Sequence, residues 1–272
     1  GPDSAAFADT VYLRGFLRTY HAPRGSPAFE AGIEDLERAL ASYRERFEAP
    51  HPRIAQTMHT LGFKSYSEPQ GMRMIEDGLA MTRQLFGPRH ATTATRMAEL
   101  AFAHDLSGDP ARAAEIGERA HALHVEVRGA THPDSLTMLS NLAGFHREAG
   151  QLDRAASLYR ELHDTRRRVL PEDHLLLAYT AHGLGNTLRA LGDHAESERW
   201  LREALRLCLL HESRNEAVTR ENLARTLAAS GERDAALAQQ QRAIDAYRRH
   251  YGDDADAARS ARERLESMRG PG

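Results

Sequence analysis

His132-Pro133-Asp134-Ser135-Leu136-Thr137-Met138-Leu139-Ser140-Asn141-Leu142-Ala143-Gly144-Phe145-His146-Arg147-Glu148-Ala149-Gly150 decides the fold. Leu136, Leu139, Leu142 and Ala143 follow at steps of three, three and one, which gathers them on one face of a helix. Gly150 ends that helix, because glycine enters the left-handed conformation at little cost. The same order returns along the chain. His174 leads to Gly183-Leu184-Gly185 and Gly192, Ser213 to Asn222-Leu223-Ala224 and Gly231, and His90 to Leu100-Ala101 and Gly108. In each case the glycine falls eighteen residues after the start.

The starts lie at 51, 90, 132, 174, 213 and 255, so the period is 42 residues in three steps and 39 in two. A period of that size marks a stack of small repeats. Each unit reads as two helices, the second following the glycine at once. One second helix carries Ala155, Tyr159 and Leu162, another Ala113, Gly117 and Ala120. Small residues there let neighbouring helices approach closely. Second helices end near Gly87-Pro88, Gly129, Pro171 and Gly252, where Pro and Gly stop a helix. No stretch alternates apolar and polar residues long enough to predict a strand.

This predicts an all-α fold with a degenerate N-terminal helical repeat over 5–50, five repeats over 51–254 and a polar C-terminal capping helix over 255–269. The opening Gly1-Pro2-Asp3-Ser4 reads as the scar of a protease-cleaved tag, and the chain as a piece of a longer protein. Composition agrees with a folded helical chain: 41% of residues are hydrophobic, 28% charged and only 6% aromatic. A net charge of −3 gives no electrostatic footprint for nucleic acid and no attraction to anionic lipid. No run of 18 apolar residues or signal-peptide pattern occurs. Cys208 stands alone, so no internal disulfide can form; the expectation is a buried small hydrophobe in a reducing, cytoplasmic protein. The Ala- and Arg-rich usage points to a bacterium with a GC-rich genome.

The Leu-Ala or Leu-Gly step, the glycine at the turn and the Ala-x-x-x-Tyr of the second helix resemble the tetratricopeptide repeat. The 42-residue period with its His-Pro-Asp entry and Asn-Leu-Ala centre resembles the longer kinesin-light-chain subtype, which is also found in bacterial signalling proteins. The resemblance implies a right-handed superhelical solenoid of antiparallel helix pairs. First helices would line a concave groove that grips a peptide or helix of a partner protein, or of another domain of the same polypeptide. An alternative is a regulatory sensor domain, cut from a larger bacterial signalling protein such as a Ser/Thr kinase, that responds to a peptide or small ligand.

Matching positions across the repeats gives the candidate groove residues Phe63, Glu99, Phe102, Asn141, Tyr179, His182, Asn186, Arg189, Glu221, Asn222 and Arg225. Asparagine suits such a groove because one amide both donates to and accepts from a peptide backbone; the other reading of Asn141, Asn186 and Asn222 is as hydrogen-bond spacers between repeats. A clamp of lysines for a terminal carboxylate is not expected, since Lys64 is the only lysine. No enzyme, cofactor or metal is expected. His121 and His124 share a helix face but lack a third ligand at metal-site spacing, and no phosphate-binding glycine loop or nucleophile motif occurs. His51, His90, His132 and His174 recur once per repeat, which points to a structural role. Arg166-Arg167-Arg168 sits late in a helix, where positive charge suits the dipole, and Trp200 is expected to pack between helices.

Overall fold

The computed structural model describes residues 5–253 and 255–269; Gly1–Ser4, read above as a cleavage scar, lie outside the described residues. The described residues form thirteen helices and no strand. They are α1 (Ala5–His21), α2 (Pro27–Arg46), α3 (Pro52–Lys64), α4 (Pro69–Phe86), α5 (Ala91–Leu106), α6 (Pro110–Arg128), α7 (Pro133–Glu148), α8 (Leu152–Val169), α9 (Leu175–Leu191), α10 (His194–Leu210), α11 (Asn215–Ala229), α12 (Arg233–Tyr251) and α13 (Asp256–Arg269). Two compact units divide the chain within α7, one up to Asn141 and one from Leu142 on.

The recurring histidines start helices. The Nδ1 atoms of His51, His90, His132 and His174 accept the backbone N–H two residues on, from Arg53, Thr92, Asp134 and Leu176, at 3.1–3.3 Å. In this way an imidazole satisfies one of the orphan donors of a helix N-terminus, a task more often given to Ser, Thr, Asp or Asn. Ser213 does the same for Asn215 in the repeat that lacks the histidine. At the other end, Gly192 is left-handed at φ 86° and closes α9.

In the first unit α1 packs on α2, α3 on α4 and α5 on α6, and each pair contacts the next along the chain. The second unit repeats the scheme from α8 through α13. Each pair crosses at the small member of the Leu-small step. Ala101, Ala143 and Ala224 have no exposed surface. At Gly62 an added Cβ would stand 2.5 Å from the Gly71 carbonyl oxygen and 2.7 Å from Ile75 Cγ1 on α4. At Gly185 it would stand 2.7 Å from Leu201 Cγ on α10. Fully buried leucines and isoleucines flank these crossings, among them Leu36, Ile75, Leu184 and Leu201.

Arg166, first of the three consecutive arginines, turns inward and is 4% exposed. It donates to the Leu176 carbonyl at 3.0 Å and to Thr180 Oγ1 at 2.6 Å, tying α8 to α9. Cys208 is buried, and burial pushes its thiol up. No helix among the described residues is long and apolar enough to cross a membrane.

Two helical glycines give opposite expectations. Gly62→Ala forces a methyl against α4 backbone and is expected to destabilise by about 1–3 kcal/mol. At Gly144 the nearest atom to an added Cβ is Tyr159 Oη at 3.8 Å, an ordinary contact. Gly144→Ala should therefore stabilise α7 by about 0.5–1 kcal/mol through lost chain freedom. Urea unfolding of the two variants beside the parent checks both signs.

Candidate interaction face

Within each unit, first helices set rows of side chains beside one another, as α1 does with α3 and α9 with α11. In the first unit this row belongs to α1, α3 and α5. Tyr12, Phe16 and Tyr20 stand one turn apart on α1 and stack in series at 6.4 and 6.1 Å. The Tyr12 hydroxyl is 3.1 Å from Thr60 Oγ1 on α3. Phe63 stacks on Phe102 of α5 at 6.1 Å and on His59 at 6.2 Å. Tyr20 and Phe102 are exposed. Lys64 reaches back over the Phe16 ring, its Nζ 6.0 Å from the centroid.

A polar network ties α3 to α5 beneath these rings. Arg96 donates to His59 Nδ1 at 3.1 Å, to Glu99 Oε2 at 2.8 Å and to Gln56 Oε1. With Nδ1 accepting, the neutral ring carries its proton on Nε2, which stands 3.1 Å from Glu99 Oε2. Burial, with Arg96 beside it, pushes His59 down to about 3. Burial also raises the Glu99 carboxyl, an effect Arg96 opposes. Between α5 and the first half of α7 lies a cavity of about 260 Å³ whose lining includes Glu99, Phe102 and Asn141, with Met138 and the α6 residue His124. All four sequence candidates of this unit thus meet, three in the cavity and Phe63 stacked on its rim.

The second unit treats its candidates differently. His182 bridges α9 to α11: Asn222 Nδ2 donates to His182 Nε2 at 3.3 Å, and Nδ1 is 3.0 Å from Thr219 Oγ1. Burial, then the Arg147 charge, pushes His182 down to about 4. Glu221 is 5% exposed and accepts from Arg225 at 2.7 Å, Arg264 of α13 at 2.8 Å and the Tyr247 hydroxyl of α12 at 3.1 Å. Glu221, expected to meet a ligand, thus has both carboxylate oxygens engaged inside the chain, and Asn222, expected to do the same, has its amide nitrogen engaged by His182. The register position held by Asn141 and Asn222 is Gly183 in α9, because the Tyr159 ring of α8 occupies the space: an added Cβ would stand 2.6 Å from it.

Tyr179, Asn186, Arg189 and Arg225 remain on this face. Tyr179 is exposed. Arg225 is 46% exposed and paired only with Glu221. Asn186 Oδ1 and Arg189 Nε are buried atoms without a hydrogen-bond partner. Burial, with the charges of Arg225 and Arg147, pushes the Arg189 guanidinium down.

The sequence reading missed Tyr12, Phe16 and Tyr20, although their i, i+4 spacing was a usable sign; the degenerate first repeat gave no register to place them. It also missed His124, which reaches the cavity from a second helix. Trp200, expected to pack between helices, meets His163 of α8 but is not fully covered. It is half-buried, edge-on to His163 at 4.7 Å, and lines a charged surface cavity with Glu196, Arg199 and Glu203. Among the described residues no three His, Cys, Asp or Glu side chains are placed to hold a metal.

Two family models, each described as the tetratricopeptide repeat, match this chain, one over residues 134–209 and 176–249 and the other over 93–134. This is a tetratricopeptide-repeat protein. Among curated relatives, the human clustered mitochondria protein homolog is 24% identical over 202 residues, 73% of this chain. The chain spans only 15% of that relative's length. Among solved structures, the apo form of RapI superposes with a TM-score of 0.75 at 9% identity, over 97% of this chain and 74% of its own. A kinesin-light-chain-type protein of Podosopora anserina with nearly identical TPR-like repeats gives 0.66 at 18% identity, over 75% of this chain and 96% of its own. A Rap protein complexed with competence and sporulation factor gives 0.61 at 12% identity, over 97% of this chain and 76% of its own. At such identities these structures carry the fold alone.

The two depressed histidines make the repeat stack acid-sensitive. The folded chain holds His59 and His182 neutral, while the unfolded chain binds their protons below about pH 6.5. Stability is therefore full above that pH and falls as pH drops from 6.5 toward the folded values of about 4 and 3. Each histidine contributes a slope of up to about 1.4 kcal/mol per pH unit in that window. The double variant His59→Gln, His182→Gln should lose stability less steeply between pH 6 and 4.5 in urea titrations; an unchanged slope would show that neither imidazole is held neutral.

Proposed function

We propose that the first-helix face of this tetratricopeptide-repeat protein binds a segment of a partner protein, as a peptide or a helix, without catalysis. The observation that carries the reading is a pairing, found within each unit, of an exposed aromatic ring on a first helix with unused hydrogen-bonding capacity. Phe102 and Tyr179 stand exposed, while Asn186 Oδ1, Arg189 Nε and His124 Nδ1 are buried without partners. A buried polar atom left unpaired costs on the order of 1–3 kcal/mol, and a ligand group that pairs it recovers part of that. Aromatic and arginine side chains are also the residues that most often dominate binding energy. The Rap neighbour complexed with a factor supports the reading by analogy of fold.

In this reading the chain divides into a degenerate repeat over 5–50, five repeats starting near 51, 90, 132, 174 and 213, and a cap over 255–269. It works in the cytoplasm, and neither nucleic acid nor membrane is its partner. No observation favours the sensor domain of a bacterial signalling protein over this reading, and the curated relative described above is a human protein.

The test is affinity capture followed by titration with the captured protein. One variant combines Phe102→Ala, Tyr179→Ala, Asn186→Ala and Arg189→Ala; a second carries Arg160→Glu and Arg202→Glu on second helices. Circular dichroism confirms that both fold. The first variant should bind the captured protein at least tenfold more weakly, and the second should bind it like the parent. The reverse pattern would place binding on the second helices and defeat the reading.

A further inference from the structure

The cavity between α5 and α7 has a charge pattern of its own. Two carboxylates, Glu99 and Asp134, line it, and no lysine or arginine does. Their partners Arg96 and Arg128 approach from outside the lining, at 2.8 and 3.1 Å. His124 is 3% exposed, and its Nδ1 has no hydrogen-bond partner. Burial lowers the imidazole, so the ring is neutral and can present Nδ1 as a lone-pair acceptor. Phe102, at 39% exposure, and the buried Met138 form apolar walls. The volume, about 260 Å³, lies below the roughly 300 Å³ at which small-molecule pockets begin. It suits one long side chain.

We propose that this cavity takes an arginine side chain of the bound segment. The stem would lie along Met138 and the face of Phe102, which also attracts a cation through its ring quadrupole. The planar head group has five N–H donors in a fixed fork, and the cavity offers acceptors on three sides in Glu99, Asp134 and His124 Nδ1. A neutral head group would lack the charge attraction of the two carboxylates; an ammonium would present only three donors at one point. Burial raises the Glu99 carboxyl, and a cation seated beside it would reverse that effect.

The inference rests on the first-helix face being the binding site, so the test separates the two. Twelve-residue peptides are selected on this protein from a random library, and their affinities are measured by fluorescence anisotropy. Each selected arginine is then replaced by citrulline, its neutral near-isostere. The expected result is a peptide weakened at least tenfold by one such replacement. That difference should shrink to less than twofold in the Glu99→Gln, Asp134→Asn variant, whose side chains keep their shape. Peptides that lose affinity to Phe102→Ala but not to any citrulline would overturn the arginine site and leave the face standing. Peptides indifferent to Phe102→Ala as well, or no selected peptide at all, would overturn both.

Discussion

Every helix pair depends on a crossing at which there is room for a hydrogen atom or a methyl group and nothing larger. Gly62, Ala101, Ala143, Gly185 and Ala224 occupy that point in successive repeats. Close-packed interiors tolerate added volume poorly, so this one position fixes how near the two helices of a pair approach. With that distance set, the apolar residues three and four places away meet their partners. The opposite row of each first helix is then left free of core duty. The candidate face is the part of the sequence that the crossing does not use.

Charge is distributed within each unit in a way the net value of −3 conceals. In the first unit two carboxylates look into a cavity that no cation lines. In the second, four guanidinium groups meet two carboxylates: Glu148 pairs with Arg147, Glu221 is shared by Arg225 and Arg264, and Arg189 has none. The buried histidines serve another end. His59 and His182 join one first helix to the next as neutral rings, His59 accepting from Arg96 and His182 accepting from Asn222 with Thr219 beside its other nitrogen.

The all-helical repeat was legible because its signals are local. Apolar spacing, the turn glycine and the small-residue step all fall within about eighteen residues of each start. Register alone places Phe63, Phe102 and Asn141 on first helices. What was not legible depends on partners a repeat or more away. Tyr247 and Arg264, which engage Glu221, lie 26 and 43 positions further on. His182, which accepts a hydrogen bond from the Asn222 amide, lies 40 positions earlier. His124 sits on a second helix, which the register assigns to packing; only the structure shows its ring reaching the α5–α7 cavity.

The central claim is that recognition happens on the first-helix face, and site-specific photocrosslinking tests it most directly. A benzophenone side chain would replace Phe102 or Tyr179 on first helices, and Glu115 or Arg202 on second helices, all four being exposed positions. After irradiation in cells, the account predicts that one and the same protein is joined through positions 102 and 179 and not through 115 or 202. Crosslinks confined to 115 and 202 would contradict it and move the binding surface to the other side of the repeats.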